Sequence, residues 1–193
     1  MIQTIRERYQ KWKDYKQSLK QVSLLRYSLI ETSESIIVAL AAALFIRQFF
    51  FQSSYVFSGS MIPTMQIRDR LVVNKMIYHF RAPHRGEIVL FDSPYGDDKE
   101  FVKRLIGLPG ETLEIKDGQT YINDKPIFFP GVIVRYDWTQ LGPIEIPEDK
   151  FFVMGDNRAN SADSRAWGFV DRDDFIGKGM ITFWPISNIK VLR

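Results

Sequence analysis

Residues 100–106 read EFVKRLI, a run in which apolar and charged side chains share a short segment free of glycine and proline. Taken as a β-strand, with successive side chains on opposite faces, it puts Phe101, Lys103 and Leu105 on one face and Val102, Arg104 and Ile106 on the other. Lys103 then has two apolar neighbours on its own face. Desolvation disfavours the ammonium form, so a lysine in such surroundings can fall several units below its usual pKa of about 10.4. At pH 7 an unshifted lysine is neutral in roughly one molecule in 2,500. A pKa of about 8 raises that share to about a tenth, at a folding cost of about 3 kcal/mol. Such an amine can serve as a general base. The alternation suits equally a lysine whose head reaches water along the strand, and periodicity alone does not separate the two readings.

The surrounding sequence also has β character. Beyond residue 65, short β-branched and aromatic runs are separated by Gly, Pro, Asp and Asn. Candidate strands are 70–75, 87–92, 100–106, 112–116, 119–122, 144–146, 151–154, 177–184 and 189–192. Lys116-Asp117-Gly118-Gln119 carries the Asp-Gly signal of a tight hairpin, and Ile122-Asn123-Asp124-Lys125 suggests a second turn. Helical periodicity is nearly absent here, and neither a repeat nor a linker divides residues 53–193. The expectation is a mainly β fold: a single antiparallel β domain with short hairpin insertions.

Upstream, the chain has another character. The 193 residues carry a net charge of +3, but residues 1–26 hold +5 of it and residues 48–193 sum to −1. The basicity belongs to the tail, which argues against a nucleic-acid surface on the β domain and leaves no such partner expected. Residues 35–52, SIIVALAAALFIRQFFFQ, follow that tail. The uninterrupted apolar run 36–46 is short for a span of about 20 residues, and continuation through Arg47 and Gln48 to Phe51 brings it to a borderline length. Arg47 can snorkel to the headgroups while the phenylalanines and Tyr55 sit at the interface. Seven positive charges on the N-terminal side predict that this side stays in the cytoplasm and the rest lies outside.

The expected organisation is therefore a basic cytoplasmic helical tail over 1–33, a transmembrane anchor over 34–52 and an extracytoplasmic β domain over 53–193, in a cell or thylakoid membrane. A cleaved leader fits less well, since the apolar run ends in Arg-Gln-Phe-Phe-Phe rather than small residues. A buried helix of a soluble protein remains an alternative. Ile5, Tyr9, Trp12, Leu19 and Val22 fall on one helical face, so the tail could lie on a lipid surface.

Residues 57–65, FSGSMIPTM, raise the question of a nucleophile. The chain has no cysteine, so a thiol nucleophile is excluded, and His79 and His84 are its only histidines. A serine hydroxyl needs a neighbouring base, most often histidine, before it attacks. Both histidines sit in turn-like surroundings. Gly59 and Pro63 are also ordinary turn residues.

Ser58-Gly59-Ser60-Met61-Ile62-Pro63-Thr64-Met65, then Phe101-Val102-Lys103-Arg104-Leu105-Ile106-Gly107-Leu108-Pro109-Gly110-Glu111, then the stretch from Met154-Gly155-Asp156-Asn157-Arg158 through Ser161-Ala162-Asp163-Ser164-Arg165 to Gly168, together resemble the bacterial type I signal peptidases. Arg85 to Phe91 is similar to a fourth motif of that family. These are membrane-anchored serine–lysine endopeptidases that remove signal peptides from exported preproteins. The resemblance implies Ser60 as nucleophile and Lys103 as general base. It implies Ser58 and the Ser60 amide as an oxyanion hole, Ser161 as the residue that orients the lysine, and Asp163 and Arg165 as a supporting ion pair.

By the same resemblance Val56, Met61, Met65, Phe101 and Val102 line pockets for small substrate side chains, with the peptide lying as a strand beside 54–58 and 99–103. Expected partners are preproteins and the lipid membrane, with no metal, cofactor or obligate protein partner. Glu111 stands where the family more often has aspartate. The stretch 111–151 is short beside members with a large inserted subdomain. Two other readings are a self-cleaving repressor with a similar serine–lysine pair and a non-catalytic membrane-tethered β module.

Overall fold

The computed structural model describes residues 2–134 and 137–192 and divides into two compact units, Met1–Gln48 and Phe49–Arg193. The first consists of helices α1 (Ile2–Val22) and α2 (Leu24–Phe49). Trp12 and Lys16 both donate to the Glu34 carboxylate, and Lys20 Nζ lies 5.4 Å from the Tyr27 ring centroid. Earlier residues of α1 thus meet later residues of α2, so the two helices run antiparallel about the break at Ser23. Among the described residues, α2 is the one helix long and apolar enough to cross a membrane, with a mean hydropathy of 1.9 over its best window. At 1.5 Å per residue its 26 residues reach about 39 Å, beyond the ~30 Å of a hydrocarbon core.

The expected anchor end at residue 52 is corrected: the helix stops at Phe49, and Phe51 and Gln52 open a strand, β1 (Phe51–Tyr55). Backbone pairing decides this, because residues 51–55 align antiparallel with residues 74–70. Aromatic residues serve a strand as readily as an apolar helix.

The second unit continues with β2 (Arg70–Asn74), helix α3 (Ile77–Phe80), β3 (Ile88–Asp92), β4 (Glu100–Gly107), β5 (Thr112–Lys116), β6 (Gln119–Ile122), β7 (Lys125–Pro126), β8 (Leu141–Glu145), β9 (Lys150–Met154), helix α4 (Ser164–Trp167), β10 (Val170–Asp171), β11 (Phe175–Trp184) and β12 (Lys190–Val191). One sheet runs β1-β2-β11-β3-β4-β9-β10, with β12 on β11, and a second runs β7-β6-β5-β8. All the strand pairs are antiparallel. The second sheet grows from the two expected turns. Asp117 and Gly118 have φ of 49° and 75°, and Asn123 and Asp124 have 48° and 64°, the paired positive values of two-residue hairpins.

Strand β4 is the hub. Val102 packs on a cluster with Leu71 and Leu90, Phe101 and Leu105 join a second with Val89 and Val153, and Ile106 belongs to a third with Leu113 and Phe152. The large sheet also curls. β1 and β4 stand four strands apart in its order, about 19 Å if flat at 4.8 Å per strand. Yet Gln52 Nε2 reaches Glu100 Oε1 at 2.6 Å. Register shifts along β11 accompany this bend. The curl brings the chain just after β1 opposite β4.

Leu105 has no exposed surface. Leu105→Ala is expected to cost about 2–5 kcal/mol, read as a lower urea midpoint for the detergent-solubilised protein.

Candidate active site

Lys103 pairs across β3 with Val89, and its side chain is 5% exposed. The face alternation expected for residues 101–106 is the one the packing shows. Its Nζ lies 5.7 Å from the Phe101 ring centroid and 2.7 Å from Ser60 Oγ. Ser60 is 6% exposed and sits in a single 3-10 turn, Gly59–Met61. Ser58 Oγ lies 3.1 Å from Ser60 Oγ. Three polar groups thus meet, Ser60 and Lys103 buried and Ser58 exposed, on the wall of a cavity of about 810 Å³.

Burial lowers the Lys103 pKa to about 8. Asp163 and Asp156 oppose that shift by favouring the ammonium, while Arg165 works with the burial. Between about pH 8 and the unfolded value near 10.4 the unfolded chain binds more protons, so stability rises with pH through that window. Below pH 8 the whole penalty remains, about 3 kcal/mol at 1.36 kcal/mol per unit.

The surrounding polar groups fix the two chain segments together. Asp156 is fully buried and takes Arg104 Nε at 2.8 Å and a terminal guanidinium nitrogen at 2.7 Å. Thr64, four residues past Ser60, donates to the same carboxylate. The Asn157 N–H donates to the Ser60 carbonyl at 2.9 Å. Gly155 fills the gap: a Cβ there would stand 2.5 Å from the Ser60 carbonyl oxygen and 2.2 Å from Ser161 Oγ, too close for any side chain. Asp163 caps α4, receives the Gly155 N–H at 2.9 Å and pairs with Arg165 at 2.8 Å.

Residues 29–184 match the family described as signal peptidase, peptidase S26. The chain belongs to that family. Signal peptidase I of Leptolyngbya laminosa is 39% identical over 168 residues, covering 83% of this chain and 82% of that protein. Signal peptidase I S of Bacillus subtilis (strain 168) is 36% identical over 174 residues, covering 84% and 93%. Probable signal peptidase I-2 of Synechocystis sp. is 37% identical over 180 residues, covering 91% and 82%. This peptidase is therefore a hydrolase, a serine endopeptidase anchored to a membrane, and the repressor and binding-module readings fall away.

Within the peptidase, Val56, Met61, Phe101 and Val102 line the cavity with Ser58, Ser60 and Lys103. Met65 does not. It is fully buried in the cluster of Val56 and Met61, because the turn after Ser60 folds back and its N–H bonds the Met61 carbonyl. Its assignment as a lining residue is corrected to core. The described hydrogen bond of Ser161 goes to the Ala162 carbonyl at 3.5 Å. Neither histidine lines the cavity.

Sequence reasoning passed over Asp137, which is 6% exposed and holds Arg165 at 2.8 Å, and gave Thr64 and Asp156 no role of their own. Asp156 lay inside a quoted motif and was open to detection. Asp137 had no pattern around it.

Asp156→Ala removes both carboxylate contacts of buried Arg104. A loss of about 3–5 kcal/mol is expected in denaturant melts. Gly155→Ala, which pushes on the Ser60 carbonyl, is expected to lower both the urea midpoint and the peptidase activity of the detergent-solubilised protein.

Proposed function

We propose that this chain removes N-terminal signal peptides from exported preproteins with Ser60 as nucleophile and Lys103 as its general base. The observation that carries the reading is the 2.7 Å approach of a buried amine of lowered pKa to the Ser60 hydroxyl. Ser60 Oγ attacks the carbonyl carbon of the scissile bond while neutral Lys103 Nζ takes its proton. The proton passes to the leaving nitrogen as the C–N bond breaks, leaving an ester on Ser60. Water then attacks the ester, giving a proton to Nζ, and Ser60 Oγ leaves with that proton restored. The Ser58 hydroxyl and the Ser60 N–H serve the oxyanion, a role in which one donor is worth about 100- to 1,000-fold in rate.

Asp163 and Arg165 hold the loop that carries Ser161. In this reading the Ser161 hydroxyl orients the lysine amine. Val56, Met61, Phe101 and Val102 form shallow apolar pockets for small side chains ahead of the cut, with the peptide extended between residues 54–58 and 99–103. The chain sits with residues 1–33 in the cytoplasm, the part of α2 beyond about residue 34 across the membrane and residues 53–193 outside, as the basic tail favours. No metal or organic cofactor enters this scheme.

Ser60→Ala and Lys103→Ala are each expected to abolish preprotein cleavage while the protein stays folded; retained cleavage in either removes the dyad. Because only the neutral amine acts, kcat/KM should rise about tenfold per pH unit below 8 and level off above it, whereas a histidine base would give a midpoint near 6.5. Ser161→Ala should cause a partial loss, and an unchanged rate would take Ser161 out of the site.

A further inference from the structure

At one end of the cavity a carboxylate links two strands. Glu100 opens β4, three residues before Lys103, and lines the cavity together with Ser54 and Asp98. Its Oε1 accepts Gln52 Nε2 at 2.6 Å and its Oε2 accepts Ser54 Oγ at 3.3 Å. Gln52 and Ser54 are two residues apart on β1, so their side chains share a face. This carboxylate therefore fastens together the two edges between which an extended substrate would lie.

Three residues of strand cover about 10 Å, so an extended peptide with its scissile bond at Ser60 brings a residue three to five positions away level with Glu100. The chain order indicates which side of the cut that is. Gln52 follows the last residue of α2 by three positions, and a signal peptide's apolar segment precedes its cleavage site. The Glu100 end therefore meets residues ahead of the cut. A strand that enters between the two edges separates Glu100 from Gln52 and Ser54, and an acceptor-only group must then find another donor or water. The neighbouring charges reinforce the demand. Asp98, Lys99 and Glu100 all line the cavity at this end, two carboxylates against one ammonium that also pairs with Asp97.

We propose that Glu100 is a specificity-determining residue that favours hydrogen-bond donors and cations, and disfavours carboxylates, at the fourth and fifth substrate positions ahead of the cut. The inference rests on the Ser60/Lys103 reading for the position of the scissile bond. The site is open to solvent, so the selection is modest, about 1.8-fold per charge at low ionic strength.

The test uses the full detergent-solubilised protein and three peptides identical except for Lys-Lys, Ser-Ser or Asp-Asp at those two positions, with products located by mass spectrometry. The wild type should cleave in the order Lys-Lys, Ser-Ser, Asp-Asp, with about a tenfold spread in kcat/KM that shrinks in 0.5 M salt. Glu100→Gln should narrow the spread, and Glu100→Lys should reverse the order. Ratios within one enzyme cancel any loss of folded protein, and a merely structural role for Glu100 would slow all three peptides alike. Identical ratios in the three enzymes would overturn the proposal and leave the dyad standing. A wild type that cleaves none of the peptides, or a Ser60→Ala variant that cleaves them, would overturn the dyad and this inference with it.

Discussion

A lysine close to two buried aspartates should hold its proton more tightly than a free one, and here it holds it less tightly. Asp156 and Asp163 both favour the charged form of Lys103, yet burial dominates and brings its pKa to about 8. The reason lies in the partners of those aspartates. Asp156 is held by both arms of the Arg104 guanidinium and Asp163 by Arg165, so each carboxylate faces the amine already neutralised. A guanidinium keeps its proton where a second lysine would not, and its fork matches a carboxylate in two places at once.

The same ion pairs give the site its shape. Lys103 and Arg104 are consecutive on β4 and project to opposite faces, so a single stretch of backbone sets the distance between the amine and the ion pair. Arg104 fixes Asp156, Asp156 receives Thr64, and Thr64 is four residues from Ser60. From the other side, the Asn157 N–H holds the Ser60 carbonyl. The turn that carries Ser60 is thereby tied to the strand that carries Lys103 through that strand's own neighbouring residue, Arg104. Arg158, 5% exposed, extends the network through the Gly155 carbonyl and the Thr120 hydroxyl into the second sheet. That sheet, built on two tight hairpins, thus buttresses the loop that carries Asp163.

Much of this was legible in the sequence because it is local. The period of two over residues 100–106 gave the faces of β4, and the dipeptides Asp117-Gly118 and Asn123-Asp124 gave two hairpins, since positive φ at consecutive residues leaves few choices. What escaped was set by tertiary pairing. The chain at Phe51 resembles the end of an apolar helix until a partner strand is available to it. Met65 is as apolar as Met61, and only the fold distinguishes a side chain behind the cavity wall from one on it. Asp137 becomes significant only when Arg165, 28 residues later, is brought to it. The Gln52–Glu100 contact depends on the curl of a whole sheet, which no window of sequence contains.

That curl links the architecture to the chemistry. A flat sheet in this strand order would leave β1 and β4 as distant strands and spread Ser60 and Lys103 across it. Bending along β11 brings the chain after β1 over the face of β4, and the space between them becomes the groove. Its apolar wall is the continuation of the core: Val56 and Met61 belong to one packed cluster, and Phe101 packs against another. The groove can therefore exclude water from the amine by the same packing that stabilises the domain. The amine, in turn, is near enough to the surface for a peptide to reach it.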